Sequence, residues 1–236
     1  MSELYSKYAS EYADVIKNNI YNSLYDRPSL LSLVQSEKFA SCLDMGCGPG
    51  AYIDNLKTFC KKITAIDSSQ EFINLVASKY PEVNAYVWDL RNGLKREPDN
   101  SYSLVISPLT IHYIEDLKKL FAEVSRVLIE GGVFAFSTDH PNLDFPESLS
   151  GNYFEVEKLT QTWNTIPGKG VEVSFYRRPL SSIFNALFES GFVIDGFSEG
   201  KPSPKMKDVS PQHFEKLTSK PHSIFVRALK LPKKGS

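Results

Sequence analysis

The stretch "CLDMGCGPGAY", residues 42–52, joins a short apolar run to three closely spaced glycines, Gly46, Gly48 and Gly50. An apolar strand running into a glycine-rich turn is how open α/β sheets begin a nucleotide site. The spacing here is GxGxG, not the GxGxxG of the dinucleotide fingerprint, and Asp44 stands two residues ahead of the first glycine. A carboxylate there would oppose a diphosphate by about a few kcal/mol at an intermediate effective dielectric. The same carboxylate attracts an ammonium or a sulfonium, and the glycines still let backbone approach the ligand. A nucleoside with a cationic amino-acid tail therefore suits this loop better than a dinucleotide.

Outward from the loop, apolar runs alternate with helix-like segments. Strands are expected at "SCLDMGC", "KKITAID", "NAYVWDL", "YSLVISPLT" and "GGVFAFSTDH", with helices at "GAYIDNLKTFC", "SSQEFINLVASKY" and "IEDLKKLFAEVSRVLIE". Ser68 or Ser69 is placed to cap the second of these helices. This alternation predicts a doubly wound, mostly parallel α/β sheet covered on both faces. Residues 1–40 read as a helical cap, with Tyr5, Tyr8 and Tyr12 on one helical face. Residues 41–140 form the cofactor-binding core. Residues 141–178, with Pro141, Pro146 and Pro167, read as a substrate lid insertion with one late strand, "VEVSFYRR". Residues 179–236 supply a helix, "PLSSIFNALFESG", and two final strands separated by a proline-rich loop at 200–222, so the whole chain is read as one domain.

Two further aspartates end strands. Asp67 falls about 20 residues beyond the first glycine, where an acid holds a ribose diol. Asp89 ends the third strand, placed for an exocyclic purine amine. Each alone could be a helix or loop cap; three at consecutive strand ends beside a glycine loop form a specific constellation.

These residues resemble the class I S-adenosylmethionine-dependent methyltransferases. "LDMGCGPG", "AIDSS", "VWDL" and "SLVISPLTIHYIEDL" match the family's first four motifs, and "EVSRVLIEGGVFAFS" resembles the fifth strand of its small-molecule branch. "YDRPSLL", "STDHPNLDF" and "SFYRRPLSSIFNALFESGF" look like a bacterial subgroup whose acceptors are mostly unassigned. The resemblance implies a seven-stranded Rossmann-like sheet whose last strand is antiparallel, and S-adenosylmethionine as cofactor. It places Asp44 and the Gly46, Gly48 and Gly50 backbone at the methionine part, and Asp67 at the ribose with Ser68 beside it. Asp89 and Leu90 would border the adenine, Ser107 the sulfonium, and Tyr5 and Tyr12 would close over the cofactor.

The acceptor side is read from chemistry. Methyl transfer needs an aligned nucleophile, a dry site and, for a hydroxyl or protonated amine, removal of a proton. His112 and His140 follow the fourth and fifth strands and are the candidate catalytic residues. His112 is either a general base or a ring packed at a helix start, and His140 is a candidate acceptor contact. Tyr25, Arg27, Tyr113, Tyr153, Tyr176 and Arg177 are candidate substrate contacts. An arginine in the cleft would suit an anionic acceptor, although adjacent Arg177 and Arg178 could equally be salt-bridged and solvated.

Bulk properties narrow the class. A net charge of −1 and the lack of a basic stripe argue against nucleic acid, and "SPLT" lacks the second proline and the aromatic of nucleic-acid amino-methyltransferases. No apolar run is long enough to span a bilayer and the charged start lacks a secretory core, so no membrane partner is expected. Cys42, Cys47 and Cys60 form neither an even disulfide framework nor a CxxC pair, which predicts a reduced cytoplasmic protein without a metal site. The basic end "LKLPKKGS" reads as a solvated terminus. Oxygen or nitrogen methylation of a small molecule is the leading expectation, for a monomer or a dimer. The alternative is a cofactor-binding module without catalysis, and an NAD-linked oxidoreductase is disfavoured by Asp44 and the glycine spacing.

Overall fold

In the computed structural model, residues 2–232 are described; residues 233–236, within the basic end, lie outside them. The apolar runs form nine strands: β1 (Cys42–Met45), β2 (Ile63–Asp67), β3 (Asn84–Val87), β4 (Tyr102–Ser107), β5 (Leu128–Asp139), β6 (Glu157–Ile166), β7 (Lys169–Arg177), β8 (Phe192–Ser198) and β9 (Ser223–Lys230). Seven of them make one sheet in the order β3-β2-β1-β4-β5-β9-β8. The first five pair in parallel, and β9 runs antiparallel to both β5 and β8. The expected doubly wound sheet is present. Its order reverses beside β1, so the glycine loop opens at the switch point where such sheets bind ligands.

Helices cover both faces: α1 (Ala9–Asn18), α2 (Arg27–Ser32), α3 (Ile53–Leu56), α4 (Gln70–Lys79), α5 (Leu117–Val127), α6 (Leu180–Glu189), α7 (Lys205–Val209) and α8 (Pro211–Ser219). Helix α5 shows why. Leu117, Leu120, Phe121, Val124 and Val127 repeat every three or four residues and are all buried, while Asp116 caps the first turn by accepting from the Lys119 N–H at 2.9 Å. Fully burying a side chain such as Phe121 contributes roughly 1.5–3 kcal/mol. On β1, Leu43 and Met45 face this layer, while Cys42 faces the opposite core with Tyr52, Ile53 and Tyr25.

The structure departs from the sequence reading in three places. Residues 141–178 hold a two-stranded antiparallel hairpin, β6–β7, instead of a single late strand. Strand β6 alternates less and more exposed positions along most of its length, but polar Glu157, Gln161 and Thr165 stand on the less exposed side, so its sequence carries no strong apolar period. The 200–222 stretch contains α7 and α8, both short and each following a proline or starting on one. Between α1 and α2 lies a π-helical turn, Asn22–Asp26, which shifts the face each side chain occupies.

Candidate functional site

A cleft of about 840 Å³ opens over the carboxyl ends of β1, β2, β3 and β4, within the size range of ligand sites. Its floor is the glycine loop. Gly46 has φ +72°, and a Cβ there would lie 2.4 Å from the Thr110 hydroxyl, so only glycine fits against the loop after β4. Gly48 has φ +53° and nothing within 4 Å of its would-be Cβ, leaving its backbone bare to the cleft. Gly50 is packed under the loop against Ile53, Val76 and Tyr80, off the cleft wall.

The strand-end acids differ from one another. Asp67 lines the cleft, and its carboxylate accepts from the Gly48 N–H at 3.0 Å and the Ser69 N–H at 2.8 Å, which ties loop to strand. Burial raises its pKa in spite of those hydrogen bonds. Asp44 is wholly buried and lies off the cleft surface, and neither of its oxygens has a hydrogen-bond partner among the described residues. Burial first, and the Asp67 charge second, push it up to about 8, so it is mostly protonated at neutral pH. A cation bound above would favour its charged form. Asp89 reaches the cleft with Ser68, Trp88 and Leu90, but Arg91 already pairs with its carboxylate and holds its pKa low.

Aromatic rings wall the cleft. The Tyr5 and Tyr113 hydroxyls are 2.7 Å apart, Tyr12 meets Tyr5 edge-on, and Phe72 packs against both Tyr5 and Tyr12. Burial raises the pKa of Tyr5, Tyr12 and Tyr113, so these phenols stay neutral. Arg27 and Tyr176 also line the cleft, as do Lys158, Glu172 and Ser174 from the hairpin.

Other expected site residues lie elsewhere. Ser107 is fully buried under the floor and donates to the Met45 carbonyl at 3.3 Å. The Tyr25 ring points away from the cleft, donating to the Glu199 carbonyl and accepting from the Ser223 N–H. Tyr153 accepts from the Leu180 N–H at 3.4 Å and meets Phe145 edge-on, off the cleft wall. Arg177 is buried against Glu157 and donates to the carbonyls of Asn152, Tyr153 and Glu155, so it fastens its own loop. His112 and His140 line a separate cavity of about 20 Å³ together with Thr138, Asp139, Asp144 and Tyr176; among the described residues Tyr176 alone lines both spaces. There His112 Nδ1 is 3.3 Å from Thr138 Oγ1 and 4.0 Å from Asp139 Oδ2, and Nε2 has no partner among the described residues. Burial, then Arg178, lowers its pKa to about 3. His140 Nδ1 accepts from the Asn142 N–H, and Nε2 faces Glu199 at 3.3 Å.

Sequence reasoning passed over Asp26, Asn22 and Tyr52, all on the cleft wall. Tyr52 was within reach, two residues beyond Gly50. Asp26 lay between two residues that were chosen, but the π turn that rotates it inward has no local sequence signature.

Residues 43–136 match the family model described as a methyltransferase domain. An uncharacterised protein from Haemophilus influenzae is 23% identical, over 90% of this chain and 89% of that one. A malonyl-[acyl-carrier protein] O-methyltransferase from Salmonella typhimurium is 29% identical over 67% of this chain, which spans 57% of that enzyme's length. Among solved structures, an S-adenosylmethionine-dependent methyltransferase described as putative, from Listeria monocytogenes, aligns with a TM-score of 0.73 at 24% identity, covering 86% of this chain and 95% of that one. That likeness establishes the fold, and the matched domain, residues 43–136, spans the glycine loop and all three strand-end acids. These residues form a methyltransferase domain on a fold shared with S-adenosylmethionine-dependent methyltransferases.

Proposed function

We propose that this enzyme methylates an oxygen or nitrogen of a small, soluble acceptor, with the glycine-loop cleft as the cofactor site. The observation that carries the reading is the pair Asp44 and Asp67: a buried acid without a partner beneath a bare backbone loop, and a second acid fixed at its rim. When bound, S-adenosylmethionine supplies a methyl group already activated by its positive sulfur. Asp44 contributes negative potential under that charge, and Asp67 accepts from the ribose hydroxyls. Ser68 and Leu90 border the nucleoside, and Tyr5, Tyr12 and Phe72 exclude water from above. Asp89, tied to Arg91, has a secondary part at the adenine edge.

The hairpin serves as the lid in this reading, since Lys158, Glu172, Ser174 and Tyr176 come from it to the cleft wall. Tyr113 and Tyr176 would meet the acceptor. His112 acts from the neighbouring cavity: the Nε2 of neutral His112, with no partner among the described residues, is a hydrogen-bond acceptor, and Asp139, raised to about 6 by burial, lies 4.0 Å from its Nδ1. His140, held by Asn142 and Glu199, supports the cavity wall. Arg177, Tyr153 and Tyr25 support the scaffold instead of the acceptor. The malonyl-[acyl-carrier protein] methyltransferase relatives match only part of this chain, so their acceptor is not carried over. The three free, buried thiols support a cytoplasmic location.

Calorimetric titration with S-adenosylmethionine and with NAD tests the cofactor site. Saturable binding of the sulfonium alone is expected, and binding of NAD alone would overturn the reading. Incubating the enzyme and a labelled methyl donor with metabolite extracts then tests catalysis. Labelled product rejects the non-catalytic module.

A further inference from the structure

The cavity of about 20 Å³ behind Tyr176 is small, polar and incompletely satisfied. Asp139 ends β5, Asp144 precedes the short turn Phe145–Glu147, and His112 comes from the short turn Ile111–Tyr113 after β4. The His112 side chain is 6% exposed, and its Nε2 has no partner among the described residues. Asp139 Oδ2, 4.0 Å from Nδ1, favours the proton on that nitrogen and leaves Nε2 a lone pair. Asp144 Oδ1 accepts from the Gln161 side chain at 3.5 Å, the long limit for such a bond.

The cations around the cavity are already committed. Arg177 pairs with Glu157 and donates to the Asn152, Tyr153 and Glu155 carbonyls. Arg178 donates to the Ile114 and Glu115 carbonyls at 2.7 and 3.1 Å. His140 turns its ring nitrogens to Asn142 and Glu199. With Arg177 balanced by Glu157, two acids face one guanidinium, so the ionised cavity is negative. Burial pushes Asp139 up to about 6, and burial followed by the Asp139 charge pushes Asp144 up to about 7, as expected of two acids on one space. Acceptors buried without a donor cost stability. A polar space of this size holds one water-sized group, and an ammonium head is such a group. A carboxylate there would meet two acids and guanidinium groups whose donors are spent.

The space also adjoins the cleft. Tyr176 lines both, and the His112 ring meets that of Tyr113, a cleft residue, with centroids 4.2 Å apart. We propose that the methyl acceptor is a small amine anchored by its cation, the ammonium seated in this cavity against Asp139 and Asp144 beside His112. The nucleophilic oxygen or nitrogen then lies a few bonds away, in the cleft at Tyr113 and Tyr176. This assignment rests on the cleft being the methyl-transfer site, and it names the acceptor's class: an amino alcohol or a diamine. In the transfer the methyl–sulfur bond breaks, a carbon–oxygen or carbon–nitrogen bond forms, and the nucleophile's own proton leaves to solvent. The anchoring ammonium keeps its protons.

Three probes of similar size and different charge test the anchor: ethanolamine, ethylene glycol and glycolate. Each is titrated by ligand-observed NMR against the enzyme, both free and loaded with S-adenosylhomocysteine. Ethanolamine should bind about tenfold or more tightly than ethylene glycol, and glycolate more weakly than either. Asp139→Asn and Asp144→Asn keep the side-chain shape, and each should cut that preference about fivefold or more. Asp144 is half-buried, so its variant still decides if Asp139→Asn fails to fold. Equal binding of ethanolamine and ethylene glycol overturns the anchor and leaves a cavity that holds water or a hydroxyl. A preference for glycolate, or no ethanolamine binding, overturns it as well. So does an ethanolamine preference that survives both substitutions, since an acid of the cleft such as Asp67 or Glu172 would then hold the cation. Failure of the cofactor reading shows separately. If S-adenosylhomocysteine does not bind the wild type, the cleft loses its assignment, while the probe preference of the free enzyme still decides the anchor.

Discussion

Two ends of the sheet's carboxyl edge use polar residues in opposite ways. Over β1 and β2, buried Asp44 and Asp26 and half-buried Arg27 each keep an atom with no partner among the described residues. Beyond β5, Arg177 is held by Glu157 and three carbonyls, Arg178 donates to the Ile111, Ile114 and Glu115 carbonyls, and His140 lies between Asn142 and Glu199. All were plausible site residues by type and position. Satisfaction separates the extremes: the protein itself completes Arg177 and Arg178, whereas Asp44, Asp26 and Arg27 each keep an atom with no partner among the described residues. Asp67 lies between, tying two backbone N–H groups at the cleft wall.

The sharpest way to break this contrast is to exchange the two kinds of residue. Asp67→Ala removes the acid that holds the Gly48 and Ser69 N–H groups and, in our reading, the ribose. S-adenosylmethionine affinity should fall on the order of 100-fold in a calorimetric titration. Arg177→Ala should do the reverse. Leaving Glu157 buried without its partner should lower the thermal midpoint by on the order of 10 °C, with cofactor affinity within about twofold. Comparable affinity losses in both variants would mean the ribose site is misplaced.

Asp44 gives the next largest effect. Asp44→Asn keeps the shape but removes the negative potential under the loop, and the cofactor affinity should drop about tenfold at pH 7. In the free enzyme the sign is opposite. Its folded-state pKa of about 8 lies above the ordinary carboxylate value of 3.8, so the native state holds a proton that the unfolded state releases. The stability Asp44 contributes is present below about pH 4 and is lost as pH rises through about 8. Urea unfolding from pH 5 to 9 should therefore show a steeper fall for wild type than for Asp44→Asn. An identical slope would mean that Asp44 is already charged or already paired.

Cofactor binding should also move a proton. At pH 7 most of Asp44 is protonated, and a sulfonium above it favours ionisation, so binding releases a fraction of a proton. Titrations in buffers of different ionisation enthalpy measure this. Release should shrink at pH 9, where Asp44 is already ionised, and in Asp44→Asn. Release that is the same in wild type and variant would assign it to another group.

The same contrast explains how much could be read from residue order. The glycine loop was legible because positive φ at Gly46 and Gly48 and the approach of Thr110 tolerate no side chain, so local geometry is written in residue type. Asp67 was legible for a related reason, being fixed by the end of β2. Strand β7 was legible from its buried Val171, Val173 and Phe175, but β6 was not, because polar Glu157, Gln161 and Thr165 hold its less exposed side and leave no apolar period. Nor was the place of Asn22 and Asp26 beside Arg27 on the cleft wall. A helical period of 3.6 would not have placed Asn22, Asp26 and Arg27 on one wall as the π turn does. His112 and His140 follow the correct strands, yet the direction of a ring at a strand end depends on tertiary packing.

His112 offers the smallest effect and the most direct check on that last point. Its pKa of about 3 lies below the ordinary histidine value of 6.5, so it is neutral throughout the working range. His112→Gln should leave cofactor affinity within twofold and should not remove any limb of a pH–rate profile between pH 5 and 8, once an acceptor is in hand. The folded state binds fewer protons than the unfolded state between about pH 3 and 6.5, so wild-type stability falls as pH drops through that window. Glutamine, which does not titrate, should flatten that fall in urea unfolding measured between pH 4 and 7. If His112→Gln instead deletes an activity limb near pH 6, the ring is titrating against the acceptor. The Nε2 that has no partner among the described residues would then be the atom that the acceptor completes.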